Sequence, residues 1–220
     1  DKNGKELALT DKGDGKYTFP MPGSQVTVTA RFKQTDTGTE NPFTDISKND
    51  YFYDAVLWAV EEGITSGTSD TTFSPNVSCT RAQMVTFLWR VSGFPKASIT
   101  NPFTDVSADA YYYDAVLWAV EQGITGGTGD GKFSPDAPCT RAQMATFLWR
   151  AAGSPAPASN VSAFTDVPEG SWYAKAVQWA YEQNITNGTG DGKFSPDATC
   201  TRAQMVQMLK ISNQEFHVAK

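Results

Sequence analysis

Cys79-Thr80-Arg81-Ala82-Gln83-Met84 decides how this chain is read, because the same six residues return at Cys139 to Met144 and again at Cys200 to Met205. The copies begin 60 and then 61 residues apart, and flanking residues recur at the same offsets, so one structural unit is built three times. Thr80 followed three residues later by Gln83 has the form of a capping box. In that arrangement the Thr hydroxyl accepts from a backbone N–H of the first turn, and the Thr N–H is met by the Gln side chain. A helix is predicted to begin there. Met84, Phe87, Leu88 and Val91 follow at helical spacing, as do Met144, Phe147, Leu148 and Ala151, giving each such helix one apolar face.

Arg81, Arg141 and Arg202 each stand just inside these helix starts. The dipole and the free N–H groups already make such a place positive, so an exposed cation there costs about 0.3–1 kcal/mol. A compensating anion is expected. It can be internal, with Asp45, Asp105 and Asp166 forming an Arg–carboxylate fork. It can also be external, with the guanidinium and the unpaired N–H groups facing a solvent-accessible cleft that admits an acidic ligand. The two are compatible.

The net charge of −6 argues against general affinity for nucleic acid, which needs a basic stripe. No apolar run approaches the roughly 20 residues of a membrane span, and no signal peptide stands at Asp1, so the chain reads as an internal fragment of something longer. Cys79, Cys139 and Cys200 are an odd number at equivalent positions and cannot all pair within one chain. Each is expected to be a small buried apolar residue before the Thr cap. No His accompanies them and paired ligand spacings are missing, so neither a metal nor a cofactor is expected.

Residues 1–34 differ from the rest. Glu6 to Thr10, Lys16 to Pro20 and Gln25 to Phe32 are rich in β-branched and aromatic residues, with Gly13-Asp14-Gly15 a hairpin turn. Through Gly-Asp-Gly-Lys-Tyr-Thr-Phe-Pro-Met-Pro and Val26 to Phe32, this stretch resembles the closing half of the internalin-type B repeat of bacterial surface proteins. Residues 35–42 form a linker. The repeats occupy 43–93, 103–153 and 164–211, and 212–220 is a tail. Each repeat opens with Phe-Thr-Asp, at Phe43, Phe103 and Phe164. A first helix follows, with Phe52, Ala55, Val56, Ala59 and Val60 on one face of the first copy, and is stopped by Gly63, Gly123 or Asn184. A glycine-rich loop then presents Phe73, Phe133 or Phe194 to the core before the capped helix. Its Asp-Gly pairs lack the alternating acids and distant Glu of a calcium loop.

With these residues in view, the repeats resemble the surface-layer homology motif. The likeness rests on Phe-Thr-Asp-Val, Trp172-Tyr173, Gly-Ile-Thr-Gly-Gly-Thr-Gly-Asp-Gly-Lys-Phe-Ser-Pro-Asp and Thr-Arg-Ala-Gln, where the family usually ends in Thr-Arg-Ala-Glu. The resemblance implies a mainly α domain of three helical repeats around a pseudo-threefold axis, a monomeric pseudo-trimer, with a short β segment before it. It implies an extracellular module that attaches surface proteins to cell-wall polysaccharide, often pyruvylated, in grooves between adjacent motifs. Carried over by position, Arg81, Arg141 and Arg202 would meet the ketal carboxylate, and Asp45, Asp105 and Asp166 would accept sugar hydroxyls or hold the Arg. Gly63, Gly67, Gly123, Gly127 and Gly188 would let the ligand approach the backbone, and Tyr51, Tyr111 and Trp172 would be sugar-facing platforms. Because the platform differs and the third repeat ends Leu209-Lys210-Ile211 in place of Leu-Trp-Arg, the three grooves need not be equivalent.

Catalysis is disfavoured: His217, the single histidine, lies in the tail, and no Ser or Cys has a base beside it in the sequence pattern. The competing function is a helical scaffold for protein–protein contact, presenting aromatics such as Tyr111 to Tyr113.

Overall fold

A computed structural model describes residues 10–11, 17–18 and 40–216, and the chain separates into two units, 1–38 and 39–220. In the first unit two short strands, β1 (Thr10–Asp11) and β2 (Tyr17–Thr18), pair antiparallel with Thr10 opposite Thr18. The rest of the expected β-repeat segment, the hairpin turn, most of the linker and His217 lie outside the described residues.

The second unit is helical. Its elements are α1 (Tyr53–Glu61), α2 (Arg81–Val91), α3 (Tyr113–Glu121), α4 (Arg141–Ala151), α5 (Ala174–Glu182) and α6 (Arg202–Phe216). No described helix is long and apolar enough to cross a membrane. The capping box forms at α2 and α4: Gln83 N donates to Thr80 Oγ1 and Thr80 N to Gln83 Oε1, each at 3.2 Å, with Thr140 and Gln143 alike. Thr201 and Gln204 make the same two bonds at α6.

The short first helices, α1, α3 and α5, carry no side-chain cap. They end in a Schellman motif. Gly63 has φ +67°, its N–H donates to Val60 O, and the Ile64 N–H reaches back to Ala59 O at 2.8 Å. Asn184 does the same at φ +56°, so an Asn substitutes for Gly at a left-handed position it tolerates.

Packing runs between repeats. The close helix pairs are α2 with α3, α4 with α5, and α1 with α6, while α2, α4 and α6 also meet one another. Among the described helices, the two of a single repeat do not pack on each other at this range. Within a repeat the aromatics meet, as Phe164 and Phe194 do at 5.6 Å, but each helix finds its packing partner in a neighbouring repeat. The backbone closes the same circuit: Cys139 N donates to Cys79 O, Cys200 N to Cys139 O, and Cys79 N to Cys200 O, at 2.8–2.9 Å. Where the three starts converge, Met84, Leu88, Met144, Leu148, Met205 and Leu209 are fully buried. The three thiols are buried and unpaired. Burial pushes those of Cys139 and Cys200 up to about 12, so they stay protonated at neutral pH.

Candidate functional site

The capped helix start fixes each motif arginine, and the next repeat supplies its surroundings. Arg81 Nε donates to Phe133 O at 2.9 Å, Arg141 Nε to Phe194 O at 2.7 Å, and Arg202 Nε to Phe73 O at 2.9 Å. Each guanidinium also lies over the ring of that phenylalanine, 4.7–4.8 Å from its centre. Arg81 has a second ring, Phe147, and Arg202 has Phe87. At the corresponding place beside Arg141 the sequence has Met208, a thinner and more adaptable side chain.

Two expectations about these arginines are corrected. The guanidinium groups do not face solvent: Arg81, Arg141 and Arg202 are only 3%, 4% and 2% exposed. Nor are the helix-start N–H groups free for a ligand. Arg81 N donates to Ala137 O and Ala82 N to Pro135 O, both at 3.0 Å, and the equivalent groups of α4 and α6 bond the loops of repeats 3 and 1. The loop carbonyls that satisfy these donors also offset the unfavourable helix-end charge.

The internal fork is corrected as well. Asp45 accepts from Phe73 N and Ser74 N at 2.9 and 2.7 Å, Asp105 from Phe133 N and Ser134 N, and Asp166 from Phe194 N and Ser195 N, each at 2.8 Å. Both carboxylate oxygens are thereby committed to the loop backbone. Burial pushes Asp105 and Asp166 up, but the two N–H groups on each outweigh it and hold both below the usual carboxylate range. The aspartates act on the arginines at a distance, as Asp105 does on Arg81, while burial lowers every guanidinium pKa.

One end of each guanidinium is weakly matched. Among the described residues, Nη2 of Arg81 and of Arg202 is buried without a hydrogen-bond partner, and Nη2 of Arg141 has only Thr186 Oγ1 at 3.5 Å. Arg141 lines a groove of about 320 Å³ shared with Tyr51 from the first repeat, Thr186 to Gly188 from the third, and Gln204 and Met208 from α6. Tyr51 feels the charge of Arg141, and Tyr111 that of Arg202. Each of these two arginines is thus surrounded by a loop from one other repeat and an aromatic from the remaining one. The platforms are open, at 65%, 62% and 61% exposure for Tyr51, Tyr111 and Trp172.

The glycines divide into two kinds. Gly63 and Gly123 end helices and have nothing within 4 Å of where a Cβ would stand, so they shape the fold. Gly67, Gly127 and Gly188 are crowded by the Phe of Phe-Thr-Asp and a loop carbonyl, with Phe43 Cε1 2.5 Å from a Cβ at Gly67. Of the five, Gly188 lines the Arg141 groove. Missing from the sequence reading were Thr65, Thr125 and Thr186, which accept from the N–H of Gly67, Gly127 and Gly188. Their signal is the Ile-Thr pair recurring at a fixed offset after each first helix.

The helical repeats, with each motif arginine held by a loop of another repeat, define a class of tandem repeat modules. Residues 42–85, 102–145 and 163–206 each match the S-layer homology domain, and the chain belongs to that family. It is 43% identical over 109 residues to a cell surface protein of Thermoanaerobacter kivui, covering 48% of this chain and 14% of that protein. It is 33% identical over 173 residues to an endoglucanase of a Bacillus species, strain KSM-635, covering 76% and 18%. An S-layer protein of Bacillus thuringiensis subsp. finitimus is 27% identical over 183 residues, covering 79% and 21%. The chain spans less than a quarter of the length of these relatives.

Proposed function

We propose that this chain is a non-catalytic anchoring module of the bacterial cell surface, whose inter-repeat grooves bind acidic, pyruvylated cell-wall polysaccharide. In this reading the three repeats surround a pseudo-threefold axis as a monomeric pseudo-trimer, as the cyclic Cys79, Cys139 and Cys200 backbone bonds favour. The carrying observation is that the buried guanidinium groups bond loop carbonyls and no carboxylate among the described residues, and that one of them, Arg141, lines a groove. A buried cation without a counter-ion is costly, and a carboxylate arriving there gains charge-assisted hydrogen bonds to donors already held in place. The exposed aromatic supplies a face for the sugar ring. The relatives support anchoring over catalysis, since proteins named as an S-layer protein and as an endoglucanase share this segment while it covers less than a quarter of either.

The test is retention of the chain on purified wall polysaccharide before and after chemical removal of its acidic ketals. Retention is expected to fall on removal and in the Arg81→Ala, Arg141→Ala double variant, each lost arginine weakening its own groove by about 1.5–3 kcal/mol. Retention indifferent to both changes would overturn the acidic-groove reading, and no retention at all would favour the protein-contact scaffold.

A further inference from the structure

A second groove, of about 500 Å³, lies between repeats 2 and 3 and contains none of the motif arginines. Its walls are Trp149 of α4, Trp172, Ala174, Lys175 and Gln178 from the start of repeat 3, and the linker residues Ser159, Asn160 and Ser162. The sequence explains why this place differs from its counterpart between repeats 1 and 2. Aligned on the repeat, Ser154 stands for Phe94, Ala174 for Tyr113, Lys175 for Asp114 and Gln178 for Leu117. In the earlier copy the Phe94 ring meets Trp89 edge-on at 5.0 Å. Ser154 leaves Trp149 without that cover, and Ala174 removes a second ring.

The linker is held as one wall of the groove. Ala163 N donates to Gln178 Oε1 at 3.0 Å, and Glu182 accepts from Ala158 N and Ser159 N at 2.8 and 2.9 Å. Gln178 is buried with both amide ends used, so the Leu-to-Gln change fixes the wall. Ser171 Oγ, in the lining, is buried and has no hydrogen-bond partner among the described residues. Trp149 Nε1 is committed to Pro155 O at 2.7 Å, which locks that indole in place.

We infer that this groove is a second carbohydrate site, taking an uncharged sugar residue between the Trp172 and Trp149 indoles. Indole walls offer apolar faces to a pyranose ring, while serine and asparagine side chains supply neutral donors and acceptors for its hydroxyls. Lys175 and Glu169 on the lining balance each other, so the groove has no net charge with which to select an anion. With no motif arginine and no residue in common with the Arg141 groove, it is chemically distinct from that groove.

The test titrates the whole chain with soluble wall-polysaccharide fragments, intact or stripped of acidic ketals, following the Trp149 and Trp172 indole N–H resonances. Ala174→Tyr restores the residue that repeats 1 and 2 carry at this place, so it fills the groove with a side chain the fold already accommodates; an unchanged Tm checks this. Stripped fragments are expected to shift both resonances in the wild type, to bind at least tenfold more weakly to Ala174→Tyr, and to bind the Arg81→Ala, Arg141→Ala variant as before. Equal binding of stripped fragments to Ala174→Tyr overturns the inference. Binding of intact but not stripped fragments overturns it while leaving the arginine grooves standing, and binding of neither overturns both.

Discussion

Asp105 shows how a residue chosen for one reason serves another. Its carboxylate receives Phe133 N and Ser134 N, fixing the loop whose Phe133 carbonyl then receives Arg81 Nε. Because these N–H groups hold its pKa below the unfolded value of about 3.9, its contribution is present above that pH and lost as pH falls through the depressed value. Asp105→Asn is expected to cost about 1–2 kcal/mol at pH 7. The gap to wild type should close below pH 4, as seen by Tm against pH. A gap independent of pH would mean that shape, not charge, is the contribution. Glycines give a second contrast. Gly127 at φ +86° faces Phe103 Cε1 and Lys132 O, whereas Gly129 at φ +110° faces open space. Gly129→Ala should lose about 1–3 kcal/mol from backbone strain alone, and Gly127→Ala about 1–3 kcal/mol more from the clash, read as a difference in denaturation midpoint. Which glycine is crowded was not legible in the sequence, because it depends on how the loop folds back to bring Lys132 O, and Phe103 from 24 residues earlier, onto Gly127.

Among the elements, the second helices were the most legible, because their start is written in neighbouring residues. Thr140 and Gln143 make both bonds of the box, and Thr140→Ala is expected to lower stability by about 1 kcal/mol in chemical denaturation. The helix ends were equally local: Gly63, Gly123 and Asn184 take left-handed conformations after α1, α3 and α5. Spacing within a repeat says which face of a helix is apolar and nothing about which helix covers it. Hence the free N–H groups expected at the arginines were misjudged, since the carbonyls of Ala137 and Pro135 that fill them come from the following repeat. The same limit applies to the internal fork. An Asp and an Arg at fixed offsets invite pairing, yet the backbone of the intervening loop reaches the carboxylate first.

At the scale of the whole unit, cross-repeat pairing means that stability cannot be assigned to single repeats. Loss of residues 164–216 would strip α5 from α4 and α6 from α1, and would break two of the three cysteine backbone bonds. Such a chain should show no cooperative thermal transition, while the full chain shows one for residues 40–216. The proposed grooves inherit this dependence. Tyr51 and Arg141 are 90 residues apart in sequence yet line one groove, whereas Tyr51 does not share the surroundings of Arg202, which include Tyr111. A double-mutant cycle on binding of soluble acidic polysaccharide fragments separates the pairs. Tyr51→Ala with Arg141→Ala should show a coupling of about 0.5–3 kcal/mol, because both act on one sugar residue, and Tyr51→Ala with Arg202→Ala should be additive within about 0.5 kcal/mol. Additivity in both pairs would mean that platform and cation do not hold the same ligand. Coupling in the second pair would mean that one ligand spans two grooves.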